Sequence, residues 1–108
     1  MSVAYDLKMV RGDTLECILE VKGNTSNVSS ITMSCRKSNL DTSYVFQKTM
    51  SNGISLIETG KYNIRVSPSD TSSQAPGNYV YDVQITMGND VYTPLYGRLI
   101  MLPDVTYN

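Results

Sequence analysis

The chain has 108 residues, a length that fits one domain with a single core and leaves too little for a large enclosed active-site cavity as well. Nine Lys and Arg against ten Asp and Glu give a formal charge of -1, so no long-range field steers the chain onto nucleic acid or anionic lipid. With no His and only two Cys, His-dependent base or triad chemistry is excluded and a tetrahedral zinc site lacks most of its usual ligands.

Strand signals recur at short intervals, each closed by Gly, Asn, Ser, Pro or Asp, with no clear amphipathic helix between them. Residues 4–10 read as a first strand with Tyr5, Leu7 and Met9 on one face. The turn Arg11-Gly12-Asp13 leads into residues 14–21, where Leu15, Cys17, Leu19 and Val21 alternate with Thr14, Glu16 and Glu20. Ile18 is the apolar exception on the outer face. Residues 22–30 read as an exposed loop. The strand 31–37 turns Ile31, Met33 and Cys35 inward and ends at Arg36-Lys37, a solvated strand end rather than a nucleic-acid patch.

Residues 44–50 and 54–58 flank Asn52-Gly53, a dipeptide suited to a tight turn because both residues tolerate positive φ, and a β-hairpin is predicted there. Residues 61–66 place Tyr62, Ile64 and Val66 on one face. The polar connection 67–76 has room for one short helical turn capped by Ser69 or Asp70. After Pro76-Gly77, Tyr79, Tyr81, Val83 and Ile85 share one parity and Asp82, Gln84 and Thr86 the other, so one face is core and one is wet. Met87-Gly88-Asn89-Asp90 reads as a second hairpin turn, followed by strands over 91–95 and 96–102. Pro94 demands an edge position or a bulge, because proline cannot donate to a ladder. The pattern predicts an all-β fold, an immunoglobulin-like β-sandwich of about seven to nine antiparallel strands, formed by residues 1–108 as one domain. Its core is predicted from Leu15, Cys17, Leu19, Met33, Cys35, Tyr79, Tyr81, Val83 and Ile85.

No run of about 18 apolar residues is present to span a membrane, and the first residues lack the basic start and apolar middle of a secretory signal. Synthesis in a cytoplasm makes Cys17 and Cys35 reduced, buried, small apolar residues, with a disulfide between them as the alternative. Arg11-Gly12-Asp13 is also the tripeptide that integrins recognise, but without a secretory signal it reads as a turn. Tyr79, directly after Pro76-Gly77-Asn78, suits a tyrosine corner, in which the hydroxyl bonds back to nearby backbone. Tyr44, Tyr92, Tyr96 and Tyr107 are less constrained and form the candidate interface set, since exposed tyrosines favour protein contacts.

Asp70, Asp82, Asp90 and Asp104 scatter over distinct elements and match neither a calcium loop nor a glycosidase carboxylate pair. The glycines are spaced as turn punctuation and not as a phosphate loop, and the Ser-rich segments offer no activated nucleophile without His or Ser-x-x-Lys. Asn24-Thr25-Ser26 and Asn27-Val28-Ser29 match the glycosylation acceptor pattern, but a chain without a signal peptide does not meet that machinery. No cofactor motif is present.

The short motifs follow a particular order: Arg11-Gly12-Asp13-Thr14 before an alternating strand, Gly77-Asn78-Tyr79-Val80-Tyr81-Asp82-Val83-Gln84-Ile85, Tyr96-Gly97-Arg98-Leu99-Ile100, then Asp104-Val105-Thr106. That order resembles the small immunoglobulin-like domain of phage and prophage tail proteins, including the N-terminal domain of upper baseplate proteins. The resemblance implies a non-enzymatic virion part, made in the bacterial host cytoplasm and built into a tail or baseplate. It would dock onto other tail subunits or onto copies of itself, with no nucleic-acid or membrane partner. Longer family members continue into receptor-binding or coiled-coil segments, whereas this chain stops soon after Asp104-Val105-Thr106, as a stand-alone accessory protein or a domain of a longer one would. The alternative is a carbohydrate-binding module that attaches a particle to a host-surface glycan. Tyr44, Tyr92 or Tyr96 exposed in one plane would favour it, and the lack of Trp counts against it. Open strand edges offer a route to oligomerisation, with Lys48, Lys61 and Pro94 blunting particular edges.

Overall fold

The computed structural model describes residues 3–21 and 28–105. Among them the elements run β1 Val3–Ala4, β2 Leu7–Val10, β3 Leu15–Glu20, β4 Val28–Arg36, β5 Phe46–Thr49, β6 Ile54–Glu58, β7 Lys61–Val66, α1 Pro68–Thr71, β8 Gly77–Met87 and β9 Asp90–Leu102. One sheet has the order β3-β7-β6; the other runs β1-β9-β8-β4-β5, with β2 also paired to β9. β1 and β2 lie parallel to β9, and the remaining strand pairs are antiparallel. This is an immunoglobulin-like sandwich.

Period-two alternation sets the core. Ile31, Met33 and Cys35 of β4 and Tyr79, Tyr81, Val83 and Ile85 of β8 are buried against Tyr62, Ile64 and Val66 of β7, with Leu19, Ile54, Leu99 and Met101 completing the cluster. Leu15 and Cys17 were expected in this core, but both are only partly buried. Their inward parity is as predicted; β3 is the last strand of its sheet, and among the described residues nothing beyond it closes the sandwich over them.

The Asn52-Gly53 turn is not a hairpin. Thr49 and Asn52 exchange backbone hydrogen bonds of 3.0 and 2.9 Å, so the chain does reverse, but β5 pairs with β4 and β6 pairs with β7. The turn therefore carries the chain from one sheet to the other. Gly53 makes this crossing possible: its φ is +98°, and a Cβ there would sit 2.7 Å from Lys48 Cδ and 2.9 Å from the Arg65 carbonyl oxygen.

Residues 4–10 do not make one strand. Tyr5 and Asp6 interrupt it, separating β1 from β2 along the same edge of β9. α1 has Ser67 at its N-cap, not Ser69 or Asp70; Asp70 instead accepts the Ser67 N–H at 2.7 Å. Residues 91–102 form one continuous β9, and Pro94 lies in a bulge, since Val83 faces Leu95 while Ile85 faces Tyr92. Lys61 blunts no edge, because β7 is the central strand of its sheet. Lys48 lies on the edge strand β5 but points inward, a device that itself discourages edge pairing.

Candidate interaction surfaces

The N-terminal kink shows how closely the backbones can approach. Gly97 of β9 lies under Tyr5, where a Cβ would fall 2.2 Å from the Tyr5 carbonyl oxygen. That carbonyl accepts the Tyr81 hydroxyl at 2.5 Å, and the Tyr5 N–H donates to the Tyr96 carbonyl at 2.8 Å. Asp6 accepts the Arg98 N–H at 3.1 Å and the Arg98 guanidinium at 3.0 Å, and these contacts hold its carboxyl below the usual carboxylate range. Tyr79 donates its hydroxyl to the Ala75 carbonyl at 2.5 Å, the geometry of a tyrosine corner. In antibody domains a disulfide cysteine stands two residues after the corner tyrosine; here that position is Tyr81.

Both cysteines are free. Burial pushes the Cys35 thiol up to about 12 and raises that of Cys17, so neither supplies a thiolate nucleophile near neutral pH.

Two surfaces remain. The first is the outer face of the larger sheet. Ladder partners share a face, so Gln47, Ser34, Asp82 and Tyr96 form a row across four strands. Gln47 donates its amide to the Ser34 hydroxyl at 3.0 Å. Arg36 lies in the adjacent row; its guanidinium sits 6.0 Å from the Tyr44 ring centroid and donates to the Asp41 carbonyl at 2.9 Å. Gln47, Ser34, Asp82, Arg36 and Tyr44 border a shallow polar hollow of about 320 Å³.

The second surface is an apolar groove of about 1580 Å³ on the side where β3 ends its sheet. Leu15, Cys17 and Leu19 line one wall, and Val3, Tyr92 and Leu95 line the other. Tyr92 belongs here because it faces Ile85 on the inner side of the sheet. The candidate interface tyrosines therefore divide. Tyr44 and Tyr96 border the outer face, Tyr92 borders the groove, and all three are about half exposed. Tyr107 lies outside the described residues, as do the Asn24 and Asn27 side chains. Val3 and Tyr5 also contribute exposed apolar area at the groove; Tyr5 was expected on one face with Leu7 and Met9, but the break at Tyr5-Asp6 leaves it 58% exposed. Ile18, apolar on the wet parity of β3, is 65% exposed.

The carboxylates do not converge. Asp82 is on the outer sheet face, Asp90 at a hairpin turn, Asp70 in α1 and Asp104 beside Arg11, and no group of three or more metal-ligating side chains gathers among the described residues.

No protein-family model matches the sequence, and no curated protein matches it. Among solved structures the chain is similar to the NK cell receptor Nkp44, a triggering partner in natural cytotoxicity. The TM-score is 0.53 at 16% identity, covering 95% of this chain and 100% of that one. It is also similar to part of a putative glycoside hydrolase from Bacteroides vulgatus, with a TM-score of 0.50 at 13% identity over 92% of this chain and 16% of that chain. At such identities the likeness establishes the fold, and the fold is an immunoglobulin-like sandwich.

Proposed function

We propose that the chain is a non-enzymatic structural and docking module of a phage or prophage tail or baseplate, seated against neighbouring virion subunits. One observation carries this reading: the motifs that resemble tail-protein domains are engaged with one another as a frame. Arg11, in the first motif, donates to Asp104, in the last, at 3.1 and 2.9 Å. The second and third motifs pair in register, Tyr79 with Leu99 and Tyr81 with Gly97. The described residues then offer surfaces for contact, which suits a part that binds. The test is mass spectrometry of tail particles purified from the source cell. The chain should appear at a fixed ratio to the major tail protein, and its absence from intact particles would reject the reading.

A second reading, a carbohydrate-binding module, draws on the outer hollow, where Tyr44, Arg36, Asp82 and Gln47 offer a ring face and polar groups suited to a polyol. Tyr92 lies apart on the groove and adds nothing to that plane. Glycan-array binding abolished by Asp82→Ala would favour this reading; a blank array would dismiss it.

A further inference from the structure

We propose that the open edge of β3 and the groove behind it form a strand-acceptor site. Its occupant is an extended segment of another virion subunit, with apolar side chains on alternate positions and Lys or Arg on the positions flanking Ile18. This rests on the docking reading above and names its contact.

The Val21 N–H donates to the Gly60 carbonyl at 2.7 Å, and the same register continues in steps of two through Leu19, Cys17 and Leu15 against β7. The N–H and C=O groups of Glu16, Ile18 and Glu20 therefore point away from β7, toward an edge with no other strand among the described residues.

The other edges are blunted. β1 and β2 are broken at Tyr5-Asp6, β6 carries a register shift between Leu56 and Glu58, and β5 has four residues with the inward Lys48. β3 has six residues, an unbroken register, no proline and no inward charge.

Chemistry selects the occupant. A strand added at β3 continues the smaller sheet, and its inward side chains would enter the groove beside Leu15, Leu19, Tyr92 and Leu95, which demands apolar residues. Its outward side chains would stand beside Glu16 and Glu20. Among the described residues Glu16 accepts only the Asn63 amide, at 3.0 Å, and Lys61, opposite Glu20, lies 3.5 Å from Glu58 instead. Arg65 is opposite Glu16 without closing an ion pair, so both carboxylates can receive a basic neighbour. A second copy paired antiparallel about Ile18 would set Glu16 against Glu20 twice, and that like-charge arrangement disfavours self-pairing.

The test uses an acetylated, amidated peptide of alternating Lys and Val and its Glu-for-Lys counterpart, titrated into the full chain and followed by amide NMR shifts and exchange. The Lys peptide should saturably shift and protect the Ile18 and Glu20 amides and bind about tenfold or more tighter than the Glu peptide. The Glu16→Lys/Glu20→Lys variant should reverse that preference, and Ile18→Pro should abolish binding of both peptides. Equal affinity for the two peptides, shifts centred on Gln47 and Asp82, or full binding by a folded Ile18→Pro variant would overturn the proposal. Should Ile18→Pro fail to fold, the charge reversal decides. Protection of Ile18 without peptide also overturns it, naming a second copy if it grows with concentration and the chain's own terminal residues if it does not. Incorporation into tail particles that survives both variants would sink the acceptor site and leave the docking reading standing. Absence from particles with the peptide result intact would do the reverse.

Discussion

Tyr81 serves two partners at once: its ring packs in the core, and its hydroxyl reaches a carbonyl 76 residues away at Tyr5. Tyr81→Phe keeps the ring and removes the donor, and should cost about 1–2 kcal/mol in urea unfolding. Tyr81→Ala should cost about 3–5 kcal/mol, and a midpoint equal to wild type in either variant would show that the contact it removes is not formed. Burial, with the neighbouring Cys17 adding to it, raises the Tyr81 phenol from 10.0 to about 12, and burial alone takes the Cys35 thiol from 9.0 to about 12. The folded state therefore holds these protons more tightly than the unfolded state. Their contribution to stability is fully present below pH 9 and should be lost as pH rises from 9 to 12. In Cys35→Ala the decline should be shallower, with Cys17 and Tyr81 still contributing; an unchanged alkaline limb in guanidinium titrations would refute the Cys35 thiol's share. Asp6 acts in the opposite sense, its stabilisation present above the carboxylate range and lost as acid protonates it. The Tyr79 corner was legible from Pro76-Gly77 followed by strand parity. The half-burial of Leu15 and Cys17 was not, because alternation reports which face a side chain takes and is silent on whether anything covers that face.

At the scale of elements, β5 and α1 are joined by Lys48, which is 5% exposed and reaches Asp70 at 2.6 Å. Asp70 also accepts the Ser67 N–H, so one carboxylate closes the helix start and neutralises the inward lysine. Lys48→Ala should destabilise by about 3 kcal/mol, since it leaves a partly buried carboxylate without its cation. Lys48→Met with Asp70→Ser should recover most of that loss, and strictly additive single-variant effects in a double-mutant cycle would show the two groups to be uncoupled. Nothing in the sequence distinguished Lys48 from a solvated edge lysine, because its partner lies on an element 20 residues farther on. The Asn52-Gly53 signal likewise located a reversal without revealing its destination. A turn dipeptide fixes local backbone direction, whereas membership of a sheet depends on the distant strands β4 and β7.

Across the whole molecule, strand number and sandwich class were readable because they follow from periodicity and turn spacing. The groove was not, because it arises from the unequal widths of two sheets assembled from strands far apart in sequence. Light scattering over a concentration series should give a monomer mass for the isolated chain if the β3 edge awaits a different subunit. A defined multimer would redirect the docking reading to self-assembly. The parallel placement of β2 on β9 has a further consequence for the making of the protein. Leu7 pairs with Leu99, so β2 is synthesised well before the strand it pairs with. The pairing of β2 with β9 must follow translation through Leu102, and closing so long a loop should make this junction slow to form.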